Sequence, residues 1–453
     1  MNISAPAAAS EPVYLGRGFK LMQKTLRNPL EAIPPEAFTL PLAYWRVVGH
    51  DVALVCDPDL IRQVMVTEAD ASDKGESVRR PLGPALGEGL LIAEGADWRW
   101  QRRAVAPIFR AAGLDRFVPV MLQAAERARS RLATAEGPVA LNHEMMRTTF
   151  EIIAETMLSG GGELDVDRVG ANVSAYLRET PWANFASLLG LPAWMPLPGR
   201  GRAREAARYL RQEIEALVAT RRAAGPGGHD LVDLLLVAED PETGRRMSDV
   251  EVTDNLVTFM TAGHETTALA LAWTLDLLGR HPEIARRVGQ EVEAVTGGGA
   301  VETAHLEHLT YTRQVLQEGM RLYPPAAILV RRMTQPMRLA GRDFAAGSRI
   351  VVPVYALHRH ASLWEAPHVF DPDRFAPEPV SERHRYAYLP FGAGPRICIG
   401  SGFAMLEAVA ILAVLMRDLR FVPVEPSPPE PQLEITLRPR TPLWARVEAP
   451  RVH

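Results

Sequence analysis

Hydrophobic residues recur at helical spacing through most of the chain, whereas alternating runs are short and few. Helical spacing covers residues 117–132 and 142–159, and it predicts two amphipathic helices. Residues 247–279 are apolar around nearly the whole circumference, which predicts a buried central helix. Ser248 and Glu251 have the spacing of a capping box at its start. At about 1.5 Å per residue, this helix would be roughly 46 Å long and cross the molecule.

Alternating apolar runs predict a smaller β region. Residues 44–48 and 51–55 are joined at Gly49-His50 and predict a β-hairpin. Residues 70–94 contain several glycines, and we interpret them as a loop long enough to be functional. The other predicted strands cover residues 326–330 and 351–356, and residues 433–437 and 443–447 predict a late hairpin.

Composition and charge narrow the class of protein. The 453 residues include 50 basic and 54 acidic side chains, which gives no argument for a nucleic-acid partner or a polybasic membrane anchor. Two cysteines exclude a disulfide framework and fit a reducing compartment. Residues 1–38 contain no continuous apolar run, so we expect neither a signal peptide nor a stable membrane anchor. These features predict a cytoplasmic globular protein.

The most distinctive stretch is residues 391–400, where a lone cysteine lies among glycines, just before an apolar run of helical spacing. A cysteine at the start of a helix lies at the positive end of the helix dipole, which favours thiolate over thiol. The only other cysteine, Cys56, is far away in the sequence, which argues against a zinc knuckle or an iron–sulfur cluster. Cys398 is therefore a single axial thiolate, as on haem iron, or a catalytic nucleophile.

Phe391, Gly394, Arg396, Cys398 and Gly400 match every fixed position of FxxGxRxCxG, so the stretch resembles the haem loop of the cytochrome P450 family. The resemblance implies a mainly α fold with a smaller β region and a long buried central helix over the haem. It also implies haem b as cofactor, with Cys398 as the iron ligand. The expected organisation is an N-terminal extension, 1–38, followed by a single haem domain, 39–453. The expected haem-binding residues of the loop and the helix that follows it are Phe391, Arg396, Gly400 and Ala404.

The middle of the central helix reads Ala262-Gly263-His264-Glu265-Thr266-Thr267, which is unusually polar for a buried helix. One interpretation is that the threonines bond to carbonyls one turn back and bend the helix. The stretch also resembles the AGxET(T/S) oxygen-activation signature of the family. In that case the helix loosens at Gly263, and Ala262 and Gly263 form a groove for dioxygen. Thr266 would hydrogen-bond dioxygen, Glu265 would serve proton delivery, and His264 would be structural.

Two groups of charged residues fit further family elements. Trp98 and Arg102 lie at i and i+4 of a helix predicted from 97 to 110. They form either an amphipathic helix with solvated arginines or a WxxxR element that donates to a haem propionate. Arg331 and Arg332 alternate faces in a strand, and we choose Arg331 as a further propionate ligand beside Arg396. The ExxR pair implies a buried structural triad, Glu318, Arg321 and Arg374.

The candidate walls of the substrate pocket are mostly aliphatic, and they predict a small apolar substrate such as a fatty acid, a terpenoid or a steroid-like molecule. A proline-rich connector at 188–198 is either core or a roof over the cavity. The pocket residues that we select are Leu90, Leu91, Phe259, Ala327, Ile328 and Leu329.

The resemblance implies a haem-thiolate monooxygenase that uses O2 to hydroxylate or epoxidise its substrate. No dinucleotide-binding or flavin-like unit is visible, so we expect electrons to come from a ferredoxin or flavodoxin with its reductase. We also expect a monomer. The partner would dock on basic residues behind the cysteine loop. The alternatives are a peroxide-driven peroxygenase, against which Glu265 and Thr266 argue, and a non-enzymatic haem or gas sensor.

Overall fold

The structure is a computed structural model that describes residues 12–17, 24, 27–47, 49–158, 166–188, 191–192, 194–225, 227 and 230–448. Helices predominate within these ranges, as predicted. They are α1 Pro58–Arg62, α2 Glu76–Leu86, α3 Gly95–Val105, α4 Ala111–Leu114, α5 Val118–Ala133, α6 Leu141–Leu158, α7 Val166–Leu188, α8 Arg200–Ala224, α9 Leu231–Val237, α10 Asp249–Arg280, α11 Pro282–Thr296, α12 Thr310–Leu322, α13 Val354–Leu357, α14 Pro377–Glu382 and α15 Ser401–Asp418.

The strands are short and form a smaller β region. They are β1 Val13–Arg17, β2 Leu42–Val47, β3 His50–Val55, β4 Ser72–Asp73, β5 Val139–Ala140, β6 Leu329–Met333, β7 Met337–Leu339, β8 Arg342–Phe344, β9 Arg349–Val352, β10 Arg420–Pro423, β11 Pro431–Leu433, β12 Leu437–Pro439 and β13 Trp444–Glu448. Six strands form one sheet in the order β1-β2-β3-β9-β6-β4, and a second sheet has the order β10-β13-β5. The predicted hairpin is β2–β3, which pairs antiparallel from Leu42 opposite Val55 to Val47 opposite His50.

The central helix α10 organises the core. Both halves of the predicted capping box are present, because the Ser248 hydroxyl accepts from the Glu251 amide and the Glu251 carboxylate accepts from the Ser248 amide. The helix packs against α6, α8, α12 and α15. Trp273 is fully buried and stacks on Tyr323 with ring centroids 4.0 Å apart. These contacts fix α10 between the helices that carry the candidate site.

The prediction of a loop at 70–94 is wrong over much of its length, because residues 76–86 form the helix α2. This helix contains Pro81 and Pro84, which usually argue against a helix. It forms because Pro81, Leu82, Ala85 and Leu86 are buried on one face, and tertiary packing overrides intrinsic propensity.

Three strand predictions also need correction. Residues 433–437 and 443–447 do not pair with each other, because β11 pairs with β12 and β13 pairs with β10 and β5. The pattern could not distinguish these partners, since all these strands are short. Strand β9 ends at Val352, and the turn after Pro353 is helical. The first predicted pocket strand begins later than expected, at Leu329.

The described part of the predicted N-terminal extension contacts the rest of the chain. β1 pairs parallel with β2, and the Asn28 side chain donates to the Pro431 carbonyl at 3.0 Å and accepts from the Leu433 amide at 3.0 Å. The boundary at residue 38 stays a prediction. Residues 189, 190 and 193 of the predicted connector lie outside the described residues. Within the ranges that the structure describes, no helix has the length and apolarity to cross a membrane.

Candidate active site

The cysteine loop runs from Phe391 into the first turn of α15. Its backbone is fixed locally, because the Cys398 amide donates to the Phe391 carbonyl at 2.9 Å. Gly394 has φ of +69°, and a Cβ there would collide with the Met65 carbonyl at 1.8 Å. Only glycine fits this position without moving the chain. At Gly400, by contrast, an added Cβ would meet open space.

The Cys398 side chain is accessible, although the surrounding protein displaces much of the water around it. Burial raises the pKa of the thiol, while the Gly400 amide and the cations Arg102 and Lys74 lower it. The net shift is upward, because desolvation outweighs the effect of these neighbours. The expectation that the helix terminus favours thiolate stays a prediction.

Cationic side chains converge beside the cysteine. A pocket there is lined by Lys74, Arg331 and Arg396, with Glu94 among them. Burial and the nearby Arg396 and Arg331 lower the pKa of Lys74 to about 7. Burial also lowers the pKa of Arg396 to about 10. Glu94, which pairs with Arg396, balances only part of this charge, so the site is suited to an additional anion.

The predicted propionate residues lie at this cluster. The Arg396 guanidinium is 4.0 Å from the centroid of the Trp98 ring. Arg102 acts electrostatically on Cys398. The strand alternation separates Arg331 from Arg332 as expected, since Arg332 pairs with Asp73 and Arg331 lines the pocket. Lys74 was missed by the sequence reasoning, because a lone lysine in a predicted loop carries no recognisable pattern.

One face of α10 is open in its middle. Phe259, Gly263 and Thr266 are half-buried and Ala262 is exposed, although their neighbours along the helix are buried. These positions follow the i, i+3, i+4, i+7 spacing of a single helical face. The Phe109 ring meets Phe259 edge-on with centroids 5.4 Å apart, and its segment also approaches the first turn of α15 at Gly402. The open face and the cysteine loop therefore belong to one region.

The predicted oxygen groove has intact helical structure. Contrary to expectation, α10 does not loosen at Gly263 but continues as α-helix to Arg280. The Thr266 hydroxyl donates to the Ala262 carbonyl at 2.8 Å, and the Thr267 hydroxyl donates to the Gly263 carbonyl at 3.2 Å. Gly263 also permits close packing, since a Cβ there would lie 2.6 Å from Cδ1 of Ile153. The predicted back-bonding of the threonines is thus present.

Glu265 and His264 point away from the open face. Glu265 is 1% exposed and accepts from Arg438 Nε at 2.7 Å and from the Thr436 hydroxyl. Its second oxygen has no hydrogen-bond partner among the described residues. His264 bonds through Nδ1 to the Met260 carbonyl at 2.9 Å, and burial lowers its pKa. Arg438 and Thr436 were missed because they belong to the incorrectly predicted late hairpin.

The three residues of the predicted structural triad lie close together, on α12 and in residues 371–374. Arg321 Nε and a second guanidinium nitrogen donate to the two oxygens of Glu318 at 2.6 and 2.7 Å. Arg321 also donates to the carbonyls of His358, Pro367 and Val369 at 2.7–2.9 Å. Arg374 Nε lies 3.6 Å from Glu318. We call Glu318, Arg321, Arg374 and these three carbonyls the triad region.

The predicted pocket residues divide into two groups. Leu91, Phe259, Ile328 and Leu329 are half-buried, whereas Leu90 and Ala327 are almost fully buried. The Leu90 amide is held by Asn255 Oδ1 at 3.0 Å, which fixes this segment on α10. Leu91 and Phe259 pack against the same apolar cluster as Ile435, a wall residue that the sequence reasoning missed.

The donor set fits a haem with a cysteine ligand. A single thiol opens onto space, an open apolar helix face lies in the same region, and Lys74 and Arg331 lack carboxylate hydrogen-bond partners within the described ranges. Two propionates would supply the missing anions. Gly400 and Ala404 leave room on the side of α15, and both are half-buried.

Several known proteins are similar to this chain. A family model described as Cytochrome P450 matches residues 36–445. Cyclooctatin synthase of Streptomyces melanosporofaciens is 35% identical over 416 residues, which cover 91% of this chain and 90% of that protein. Cyclooctat-9-en-7-ol 5-monooxygenase of the same organism is 34% identical over 401 residues, covering 88% of this chain and 86% of that protein. The cytochrome P450DA heme domain shares the fold, with a TM-score of 0.80 at 24% identity and coverage of 91% of this chain and 90% of that one.

Proposed function

Because this chain belongs to the cytochrome P450 family of monooxygenases, we propose that it inserts one atom of dioxygen into a small apolar substrate. The observation that carries this proposal is the accessible Cys398 thiol beside a group of half-buried cations. The cofactor that we propose is haem b, held by Cys398. A monomeric state and a cytoplasmic location stay predictions from the sequence.

When bound, the haem supplies the redox chemistry that activates dioxygen. The protein residues hold it and arrange the reactants. Cys398 would be the iron ligand, and Lys74, Arg102, Arg331 and Arg396 would bind the propionates, since each cation lies in or beside the pocket. Trp98, which stacks on Arg396, would orient that guanidinium. Phe391, Gly400 and Ala404 would shape the space around the iron ligand.

We propose that the Thr266 hydroxyl contacts dioxygen in the groove at Ala262 and Gly263. Its hydroxyl bonds to the Ala262 carbonyl at 2.8 Å, so it must rotate to donate to a reactant. A hydroxyl can donate one hydrogen bond and accept others, which suits it to passing a proton. Glu265 is proposed to serve proton delivery from the other side of the helix, where it is paired with Arg438.

An apolar substrate is supported by the lining of the open region. Leu91, Phe259, Ile328, Leu329 and Ile435 are partly buried apolar side chains. Ligand pockets of this kind bind mainly by burying apolar surface. The name of one relative, cyclooctat-9-en-7-ol 5-monooxygenase, denotes an alkene that carries a single alcohol, which is consistent with a largely hydrocarbon substrate. We propose a terpenoid, a fatty acid or a steroid-like molecule as the class.

Electrons would come from a separate ferredoxin or flavodoxin with its reductase. The segment between α3 and α5 lies against the start of α15, and it exposes Arg110 and Arg116. Exposed arginines beside the cysteine loop would attract an acidic electron carrier. This supports the dock that we predicted behind the loop.

The test is the absorption spectrum of the reduced, carbon-monoxide-bound holoprotein. We expect the strongly red-shifted Soret band of thiolate ligation, and Cys398→Ser should abolish it. A band typical of imidazole ligation would overturn the assignment of Cys398. Turnover with peroxide alone, at a rate that surrogate ferredoxin and reductase do not increase, would favour the peroxygenase instead.

A further inference from the structure

The hairpin β11–β12 ends in a tight turn beside the central helix. Its two strands pair antiparallel, and the Glu434 amide donates to the Thr436 carbonyl at 3.1 Å across the turn. We call residues 434–436 the hairpin tip. The middle residue of the tip, Ile435, is half-buried and packs against the apolar cluster to which Phe259 belongs. The tip therefore places one apolar side chain at the proposed substrate pocket.

The strands of the hairpin are fixed by contacts outside the tip. The Asn28 side chain bonds to β11 from one side. On β12, the Leu437 amide donates to the Pro325 carbonyl at 2.9 Å, and the Leu437 carbonyl accepts from Trp273 Nε1 at 3.3 Å. These bonds connect the strands to three separate segments of the chain. A substitution that affects only the tip should therefore leave the hairpin and the fold in place.

The tip is connected to α10 through a single carboxylate oxygen. Glu265 Oε1 accepts from the Thr436 hydroxyl and from Arg438 Nε, the latter at 2.7 Å. A second guanidinium nitrogen of Arg438 lies 2.7 Å from the same oxygen. Glu265 is 1% exposed and Thr436 is 6% exposed, so water competes little for these bonds. Hydrogen bonds to an ionised group are stronger than neutral ones, and this contact lies one residue from Ile435.

The contact of Glu265 differs from that of a carboxylate paired within a scaffold. Both oxygens of Glu318 accept from Arg321. At Glu265, the donors from the hairpin converge on Oε1, and Oε2 has no hydrogen-bond partner among the residues that the structure describes. The hairpin therefore uses one oxygen of Glu265 as a point of attachment to α10. This attachment fixes the distance between the tip and the helix that carries the oxygen groove.

We propose that Thr436 and Arg438 are positioning residues that set the place of Ile435 in the substrate pocket through their bonds to Glu265. They would thereby determine which carbon of an apolar substrate is oxidised. This inference rests on the proposed function. An apolar substrate has few polar groups through which it could be oriented, so the shape of the apolar wall decides its placement. Release of the tip should widen the pocket and change selectivity.

The test compares Thr436→Val and Arg438→Leu with two control variants in the holoprotein. Val keeps the shape of Thr436 without its hydroxyl, and Leu removes the donors of Arg438. Thr436→Ser retains the hydroxyl and should behave like wild type. Arg440→Leu is the matched control, because Arg440 also forms an ion pair at this hairpin, with Glu430 at 2.8 Å, but both side chains are about half exposed.

The first readout is the affinity of imidazoles that carry a butyl, hexyl, octyl or decyl chain, measured from the shift of the Soret band. These probes require a bound haem and an apolar pocket but neither turnover nor the natural substrate. In wild-type protein, affinity should rise with chain length until the chain meets the wall. In Thr436→Val and Arg438→Leu, the affinity for decyl relative to butyl should rise about tenfold, since each buried methylene contributes about fourfold.

The second readout is the ratio of the hydroxylated products of lauric acid, formed with surrogate ferredoxin and reductase. We expect this ratio to change about tenfold in Thr436→Val and Arg438→Leu, at normal haem content. Lower stability alone would reduce all products in proportion and leave the ratio unchanged. Ile435→Ala should also change the ratio. Addition of Thr436→Val to Ile435→Ala should then have little effect, because both act through one side chain.

A wild-type dependence on chain length in both Thr436→Val and Arg438→Leu would overturn the inference. An equal change in Thr436→Ser or Arg440→Leu would also overturn it, because the hairpin would then respond to any substitution. If Arg438→Leu does not fold, Thr436→Val decides the outcome. Failure of the proposed function would look different, because wild-type protein would then lack the thiolate spectrum or form no product. The imidazole series would still decide the inference on protein that binds haem.

Discussion

Two buried carboxyl groups differ in the hydrogen bonds that they accept. One is Glu318 in the triad region, and the other is Glu407 on α15. Glu318 is 0% exposed and accepts from Arg321 at both oxygens and from the Asp371 amide at 2.9 Å. Glu407 is 1% exposed, and neither of its oxygens has a hydrogen-bond partner within the residues that the structure describes. Burial alone therefore does not decide whether a carboxyl has hydrogen-bond partners.

The two carboxyls differ in whether their oxygens have hydrogen-bond partners. Arg321 makes five hydrogen bonds, to Glu318 and to three carbonyls, which equals the number of N–H donors of a guanidinium. Such a group has one stable arrangement, and it holds α12 against the segment that leads to the cysteine loop. Glu407 and Thr267 have unused hydrogen-bonding capacity and can exchange partners. Arg374 Nε and His358 Nδ1 near the triad are also buried without a hydrogen-bond partner among the described residues, so the contrast concerns the two carboxyls and not everything around them.

The largest expected effect comes from breaking the satisfied region. Glu318→Ala leaves the Arg321 guanidinium buried without its carboxylate. Removal of one partner from a buried pair costs about 3–5 kcal/mol, which is a large part of the stability of a typical domain. We expect almost no folded holoprotein, measured as the ratio of haem to protein after purification.

The matched control is Glu430→Ala. Glu430 pairs with Arg440 at 2.8 Å, but both side chains are about half exposed. Exposed pairs contribute about 0–1 kcal/mol, so this variant should load haem normally. A normal haem yield from Glu318→Ala would contradict the structural role of the triad region.

The next effect concerns the groove. Thr266→Ala removes the hydroxyl that we place beside dioxygen, and the helix keeps its backbone bonds. We expect haem content and substrate affinity to be retained. Product per NAD(P)H should fall roughly 10-fold to 100-fold, because a positioned proton donor commonly contributes about 10²-fold or more. Reducing equivalents should appear as hydrogen peroxide, which a peroxidase-linked assay measures, and unchanged coupling would refute the role of Thr266.

The sequence predicted the elements whose signals are local. The capping box at Ser248 and Glu251, the β2–β3 hairpin and the Glu318–Arg321 pair all depend on neighbouring residues, and the structure contains them. Loop 391–400 was recognisable because five fixed positions fall within ten residues.

The remaining features depend on contacts between distant segments. Lys74 gains its environment from Arg331 and Arg396, and Arg438 meets Glu265 across 173 positions of sequence. Periodicity contains no information on such pairs. The helix at 76–86 was missed because the glycines in and around it favoured a loop, whereas its buried face stabilises the helix.

A third and smaller effect should distinguish the two adjacent arginines of β6, Arg331 and Arg332. Arg331 lines the cationic pocket, while Arg332 is half exposed and paired with Asp73. We expect Arg331→Ala to speed haem transfer to apomyoglobin about tenfold or more, since a hydrogen bond to a charged group contributes about 1.5–3 kcal/mol. Arg332→Ala should leave the rate near that of wild type. Equal rates for the two variants would show that Arg331 does not hold a propionate.

The last prediction tests the neutral state of Glu407 directly through stability. Burial raises its pKa from 4.5 to about 8 in the folded protein. Between these values the folded state keeps a proton that the unfolded state has lost, so rising pH destabilises the fold relative to Glu407→Gln. The stabilisation is complete below about pH 4.5 and is lost as the pH rises to about 8. Urea unfolding of both holoproteins should show their stability difference changing by at most about 1.4 kcal/mol per pH unit in this range.

The same pH dependence should persist at high salt, because a desolvated group is screened far less than surface charges. Parallel stability curves for wild type and Glu407→Gln would mean that Glu407 is ionised in the folded protein. It would then be a buried carboxylate without the hydrogen-bond partners of Glu318, and the contrast between the two regions could not rest on protonation. Parallel curves would therefore group Glu407 with the scaffold residues. Divergent curves would show that Glu407 keeps its proton in the folded protein.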